Sequence, residues 1–393
     1  MSAQHLAAAA SSRVLIVGSG LTGALTAYHV RKALRDRAHI DVADMARGAG
    51  GRASTTRYEG GGGSTRANTG AQYMSVCSRE ARDLLEAVCA SNGTTTCALD
   101  RVEAPAPRTT HFRLAENDAY THYLPRDGTN SVVKQFLYAG APDSVSFGAR
   151  LQRVAADAEG RLRPVFDRGS GGDASYDAVV LAMPPKDILK FFDRAGPDDD
   201  RQSQAALHRR TNRGARTTTL PSGCGPVTLP GDVVGALRSA SYVGRYSLAL
   251  WFGDGEAAFV EALVDAWRPG ASDDVLDAVV GQPGNVVVAQ TTVAFWRRVS
   301  GDGPGGRKRD RGGRAGRGGG GRDEAKASIL AALGRVAGAS VPRARHAKLL
   351  NWRTSQADVA AAEPVVTHAG LVFTGDWTSE SSFEGCNRAA VAA

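Results

Sequence analysis

The apolar positions of this chain alternate between short β-forming runs and helical stripes. The first strong unit is Val14 to Val17, four consecutive β-formers, the pattern of a strand buried on both faces of a parallel sheet. Gly18-Ser-Gly20-Leu-Thr-Gly23 follows, then a helical stretch from Ala24 to about Leu34, and Ile40 and Val42 supply a second strand ending at Asp44. Strand, glycine turn, helix and strand close a β-α-β unit within about 30 residues. Glycines then cluster at Gly50-Gly51-Arg52 and at Gly60 to Gly63, which predicts a hairpin or exposed loop.

Further along, Arg79 to Val88 has helical spacing, and a second helix is signalled after Pro125-Arg-Asp-Gly128 with Asn130 or Ser131 as its N-cap. Strands are predicted over Val145–Leu151, Leu162–Phe166 and Tyr176–Ala182, and two buried ones over Tyr242–Phe252 and Asn285–Phe295. Glu324–Val336 reads as an amphipathic helix, and Leu371–Asp376 with Phe383–Ala393 as strand, loop and helix. The stretch from Arg194 to Gly235, rich in Asp, Gly, Arg and Pro, predicts no element.

Length changes the picture first: 393 residues suit two domains with sizeable cores. The chain has no long uncharged apolar run of the kind a membrane-spanning helix needs. The five cysteines, Cys77, Cys89, Cys97, Cys224 and Cys386, include no C-x-x-C pair, which argues against a disulfide scaffold or a zinc knuckle and for a reducing compartment. The Ala-rich segment before Arg13 carries no basic export signal, so a cytoplasmic location is expected, with an organelle left open. The net charge of +8 suggests nucleic acid until it is located. Seven basic residues against two acidic ones fall within Gly301 to Arg322, where 11 of 22 residues are glycine. That composition predicts a disordered insert, and the basicity says little about the folded part.

The glycine turn is the first candidate for chemistry. Gly18 would permit the tight turn, Gly20 the approach of a pyrophosphate to backbone amides, and Gly23 close packing of helix on strand. Asp44, 21 residues beyond Gly23, is placed to accept hydrogen bonds from ribose hydroxyls. The plainer alternative is a glycine-rich turn with Asp44 capping a loop. Arg52 could bring a guanidinium to the same pyrophosphate. A C-terminal segment with Gly375-Asp376 and Phe383-Glu384-Gly385-Cys386 that returns to the N-terminal unit suits an extended ligand such as FAD.

These residues, together with Gly70-Ala-Gln-Tyr73, Ser241-Tyr-Val-Gly-Arg-Tyr246, Thr291-Thr-Val293, Trp352-Arg353 and Ser355-Gln356, resemble the renalases, within the flavin amine oxidase superfamily. The resemblance runs along nearly the whole chain. It implies an α/β fold, with a Rossmann-like FAD-binding domain (12–76, 124–186 and 346–393) interleaved with a second substrate domain of mixed β-sheet plus helices (77–123 and 187–345) and the insert at 301–322. It implies non-covalent FAD, and an oxidase that returns 2- or 6-dihydro isomers of NAD(P)H to NAD(P)+ while O2 becomes H2O2. No catalytic side chain and no metal are implied, since flavin N5 takes the hydride. Cofactor contacts are expected from Gly18, Gly20, Gly23, Gly51, Gly375 and Phe383. Thr22 and Arg52 would meet the FAD phosphates, Asp44 the adenosine ribose, and the main chain at Leu151 the adenine. Gln72 and Tyr73 would lie near the flavin ring, Asp376 on the ribityl side, and the helix from Glu384 would aim its positive end at the ring. Asn68 stands where these proteins usually have Asp.

Substrate contacts are expected from Tyr246, Thr292, Phe295, Trp352 and Arg353, as aromatics for stacking on a nicotinamide and a cation for a phosphate or carboxamide. The eight histidines are scattered, and no H-E-x-x-H or G-x-S-x-G pattern appears. Two rival readings are a flavin-dependent amine oxidase and an RNA-binding protein acting through the Arg/Gly stretch. The first lacks aromatics in Ser379-Glu-Ser-Ser382 for an amine cage, and the second lacks aromatics interleaved with its arginines. The partners expected are therefore a dihydronicotinamide dinucleotide and O2, without a membrane and without nucleic acid.

Overall fold

The computed structural model describes residues 12–60, 63–90, 97–102, 120–167, 174–192, 223–267, 273–301, 320–360 and 366–393. Most of the Gly/Arg segment expected at 301–322 lies outside them. The chain opens with β1 (Ser12–Val17), α1 (Leu21–Leu34) and β2 (Ala38–Asp44). A hairpin of Thr55–Gly60 and Gly63–Asn68 follows, then α2 (Arg79–Ala90), α3 (Thr129–Gly140), β3 (Ser144–Phe147) and β4 (Ala178–Ala182). The second half supplies β5 (Ser241–Trp251), α4 (Ala257–Ala266), β6 (Leu276–Gln282), β7 (Val286–Thr291), α5 (Val293–Ser300), α6 (Gly320–Ala337) and β8 (His346–Val359). The chain then returns through β9 (Val366–His368) and β10 (Leu371–Thr374) to α7 (Phe383–Ala392).

The principal sheet has the order β9-β10-β4-β1-β2-β3, parallel except where β9 meets β10. β1 lies inside it, which explains its unbroken apolar run. Val14 and Ile16 enter a core with Leu25, Phe136 and Phe383 of the helices α1, α3 and α7. Leu15 and Val17 enter the opposite core, with Leu181, Phe373 and Trp377. The fold is α/β, with a parallel Rossmann-like sheet and a second, antiparallel sheet of order β6-β7-β5-β8.

Several boundaries differ from expectation for local physical reasons. The strand expected over Val145–Leu151 breaks at Gly148, whose φ of +72° turns the chain, and a new strand starts at Leu151. The strand expected through Phe295 ends at Thr291, because the Thr292 hydroxyl accepts the Phe295 N–H and starts α5. Neither Asn130 nor Ser131 caps α3. The helix begins at Thr129, whose N–H donates to Asn68 Oδ1 at 3.0 Å, so the cap comes from another part of the chain. Residues 346–359, expected with the nucleotide unit, pair as β8 with β5 of the second sheet. Likewise Ala81, Leu85 and Val88 of α2, expected in the substrate unit, pack into the core of the principal sheet.

Candidate functional site at the carboxyl edge of the parallel sheet

The carboxyl ends of β1, β2, β4 and β10 lie along one edge of the sheet, where ligands of open α/β folds bind. Two glycines of the first turn are steric requirements there. Gly18 has φ +110°, and a Cβ on it would sit 2.5 Å from the Ala182 carbonyl oxygen. A Cβ on Gly23 would lie 1.9 Å from the Gly18 carbonyl oxygen, so α1 could not pack on β1. Gly20 differs: the nearest atom to its Cβ would be the Gly51 Cα at 3.8 Å, which leaves space in front of the helix. No side chain caps α1 at Gly20, so the N–H groups of its first turn are available to an anion.

Asp44 turns back toward this cradle. One carboxylate oxygen accepts from the Ser19 N–H at 2.6 Å and the Ser19 hydroxyl at 2.7 Å, and the other from the Ala46 N–H at 2.7 Å. Leu151 is buried in the second core, but the chain just before it donates from the Gly148 and Ala149 N–H groups to the carbonyls of Ala46 and Asp44. Its strand therefore leaves from the Asp44 side of the edge.

Across the cradle, Arg52 forms a two-pronged pair with Asp376, the residue after Gly375 at the end of β10. The Tyr242 hydroxyl donates to the same carboxylate at 2.5 Å, Ser381 donates to it as well, and the Arg52 guanidinium lies over the Tyr242 ring at 5.2 Å. Burial works to raise the Asp376 pKa, but the Arg52 charge and the hydroxyl donors hold it below the usual carboxylate range. Burial and the neighbouring carboxylate push the Tyr242 phenol up.

The first turn of α7 meets the first turn of α1. The Cys386 thiol, pushed up to about 12 chiefly by burial, lies against the Thr22 hydroxyl. Phe383 is buried between the helices, and Ser382 caps α7 by accepting the Gly385 N–H at 2.9 Å. The Glu384 carboxylate is turned away, accepting from the Cys77 and Ser78 N–H groups at 3.3 and 3.1 Å, which ties α7 to the start of α2. Burial opposes ionisation of Glu384, yet these donors hold its pKa down.

Residues 16–88 match the family of NAD(P)-binding Rossmann-like domains. The edge described above is the candidate dinucleotide crevice of this unit, since ligands of open α/β sheets bind at the carboxyl ends of the strands. In overall fold the chain is similar to a CLA-producing fatty acid isomerase from P. acnes, with a TM-score of 0.55 at 10% identity, covering 98% of each chain. It is similar also to an oxidoreductase from Methanosarcina mazei, with a TM-score of 0.54 at 11% identity, covering 97% of this chain and 99% of the other. Among curated proteins no sequence matches the chain.

The second sheet is joined to this crevice by a polar seam along residues 68–72. The Asn68 N–H donates to Gln282 Oε1 at 2.8 Å, and Gln282 Nε2 donates to Gln72 Oε1 at 2.7 Å. Gln72 in turn donates to the Asn68 carbonyl at 2.6 Å, Gln290 donates to the Gly70 carbonyl at 2.9 Å, and Trp352 Nε1 donates to the Thr69 carbonyl at 2.8 Å. Tyr73 packs edge-on against His122, and its phenol is pushed up to about 12 by burial and by Asp277.

The alternation of β5 decides which substrate candidates face this seam. Arg245 is paired across the sheet with Trp352, and Ser247 with Gln290, so these side chains share the face turned toward residues 68–72. Tyr246 lies on the other face. It is 2% exposed and packs with Phe295, 1% exposed, in the core beneath α4, α5 and α6, away from the crevice. Thr292 is engaged as the cap of α5 and donates to the Asp274 carbonyl. Arg353 is exposed, one residue along β8 from Trp352. Of the five substrate candidates, the structure brings Trp352 to the seam and places Tyr246, Thr292 and Phe295 elsewhere. Sequence reasoning missed Tyr242, Arg245, Gln282, Gln290 and Ser381. Arg245 is 2% exposed and forms a buried pair with Asp277, backed by the Thr291 carbonyl at 3.0 Å and Gln356 at 3.3 Å. The one charged residue of a strand whose other residues are all uncharged was the available signal for it.

Proposed function

We propose that the protein is an FAD-dependent oxidoreductase of the flavin amine oxidase superfamily. The observation that carries this reading is the convergence of an uncapped helix start, an acidic strand end and a far C-terminal segment around Arg52 at one sheet edge. Gly20 leaves room for a phosphate where a Cβ would intrude, so the residues present fit a dinucleotide. The α1 amides with Thr22 and Arg52 would hold the pyrophosphate, Asp44 the adenosine ribose, and Asp376 the ribityl side. Bound flavin would supply a two-electron acceptor, taking hydride at N5 and passing the electrons to O2.

The substrate class we propose is the 2- and 6-dihydro isomers of NAD(P)H, as the likeness to renalases implies. Hydride transfer from a dihydropyridine requires orientation and exclusion of water, with no obligatory acid or base. The seam supplies that in its own residues: Trp352 is fixed through Thr69, and Gln72 and Gln290 hold the backbone of 68–72 against the second sheet. Two measurements test the reading. FAD titrated into the protein should bind, read as quenching of flavin fluorescence, and colourless protein after equilibration with excess FAD would refute the cofactor. Anaerobic bleaching of the bound flavin by a panel of dihydronicotinamide isomers, monoamines and polyamines then reads the substrate class, and bleaching by amines alone would overturn it.

A further inference from the structure

Two of the five cysteines meet away from the crevice. Cys89 lies in the last turn of α2, and Cys97 just precedes the strand Leu99–Val102. Both are buried, at 8% and 3% exposure, and their sulfurs are 3.1 Å apart. That is closer than unbonded sulfurs ordinarily pack, and about 1 Å longer than an S–S bond of about 2.05 Å. The remaining surroundings of Cys97 include the Ser131 hydroxyl at 3.4 Å. The two thiols are not equivalent. The hydrogen bond from Cys89 holds the Cys97 pKa down, while the same bond, with burial, raises that of Cys89. With the Cys89 thiol at 3.1 Å and the Ser131 hydroxyl at 3.4 Å both beside its sulfur, Cys97 is the better placed of the two to carry charge and act as the nucleophile, with Cys89 the group that follows.

We propose that Cys89 and Cys97 are a modification site at which peroxide forms an intramolecular disulfide, pinning the end of α2 to the strand Leu99–Val102. The Cys97 thiolate attacks one oxygen of hydrogen peroxide, the O–O bond breaks, and the hydroxide released takes a proton to become water, leaving Cys97 as a sulfenic acid. The Cys89 sulfur then displaces the sulfenic oxygen, which leaves with the Cys89 proton as a second water. Two thiols and one peroxide give one disulfide and two waters. This step does not depend on the flavin reading, since the peroxide can be supplied directly. It does touch the site mechanically, because the other end of α2 is tied through Ser78 to Glu384 of α7.

Peptide mapping of the full-length protein tests it. The protein is treated with hydrogen peroxide, or with dithiothreitol as the reference, then alkylated under denaturing conditions and digested with trypsin. Cys89 and Cys97 fall in one tryptic peptide, Asp83 to Arg101. After peroxide this peptide should carry no alkyl group and weigh about 2 Da less than the dithiol form, a change that dithiothreitol reverses. A Cys89→Ser variant should lose the cross-link and leave a sulfenic acid on Cys97 that dimedone traps. Both cysteines still fully alkylated after peroxide, or oxidised without the 2 Da loss, would overturn the proposal, and so would a disulfide from Cys97 to any other cysteine. The wild-type map decides the matter alone if the variant does not fold.

Discussion

Arg52→Met is the most informative single change, because it removes one charge from the buried Arg52–Asp376 pair while keeping much of the side-chain stem. Asp376 is 1% exposed and would be left with the Tyr242 and Ser381 hydroxyls as its donors. Breaking a fully buried pair costs about 3–5 kcal/mol, since the remaining charge is uncompensated. The Arg52 side chain is 31% exposed, so water already screens part of the interaction, and about 2–3 kcal/mol at pH 7 is the expected loss. Asp376→Asn should lose about 2 kcal/mol, and the double variant should fall short of the sum of the two by at least about 1.5 kcal/mol.

The pH dependence carries the sign of the effect. In the wild type the Asp376 pKa is depressed. Its contribution is therefore complete above the unfolded value of roughly 3.9 and is lost as pH falls through the lower folded value. Without Arg52, burial would be opposed only by the Tyr242 and Ser381 hydroxyls and that pKa would rise, so the cost is greatest at neutral pH and shrinks on acidification. Urea unfolding of protein without added nucleotide, followed by circular dichroism from pH 7 downward, should show the two stability curves converging. A loss below about 0.5 kcal/mol at pH 7, or single losses that simply add, would refute the account of the pair.

Four further predictions use different parts of the edge and of the seam beside it. Gly23→Ala should destabilise by at least about 3 kcal/mol or prevent folding, because its Cβ would meet the Gly18 carbonyl oxygen at 1.9 Å. Gly20→Ala, with nothing nearer than 3.8 Å, should change stability by less than about 1 kcal/mol yet weaken FAD binding at least about tenfold, and unchanged FAD affinity would remove the phosphate cradle from the proposal. Glu384→Gln should cost about 1–2 kcal/mol at pH 7 by weakening the acceptor of the Cys77 and Ser78 N–H groups. Because the Glu384 pKa is depressed, that difference should fade as pH drops below roughly 4.3, and a difference independent of pH would point to packing instead. Trp352→Phe should lose about 1 kcal/mol and speed hydrogen exchange at residues 68–72, with unchanged exchange counting against the seam.

What could be read from sequence and what could not divides along the difference between local and tertiary causes. The glycine turn was legible because strand, turn and helix are consecutive in the chain and Gly23 answers to the Gly18 carbonyl within that unit, although the contact that constrains Gly18 comes from Ala182 of β4; β1 was legible because both its faces are buried. For β5 the period of two separates Tyr246, Leu248 and Leu250 from Arg245, Ser247 and Trp251, but nothing local says which set turns toward the nucleotide unit. Tyr246, expected against the substrate, belongs to the set that floors a helix-covered core, while the set containing an arginine and a serine lines the seam. Gly244 adds to the difficulty. A bulge between Val243 and Arg245 shifts the pairing there, and a Cβ on Gly244 would overlap the Trp296 ring at 2.1 Å, a constraint set by a helix some 50 residues away. Asn68 makes the same point from a single atom. Its side-chain oxygen accepts from the Thr129 N–H and the Thr55 hydroxyl, so it joins the hairpin to the start of α3. An aspartate there would accept the same bonds but bury a negative charge beside them, and asparagine provides the acceptor without that cost.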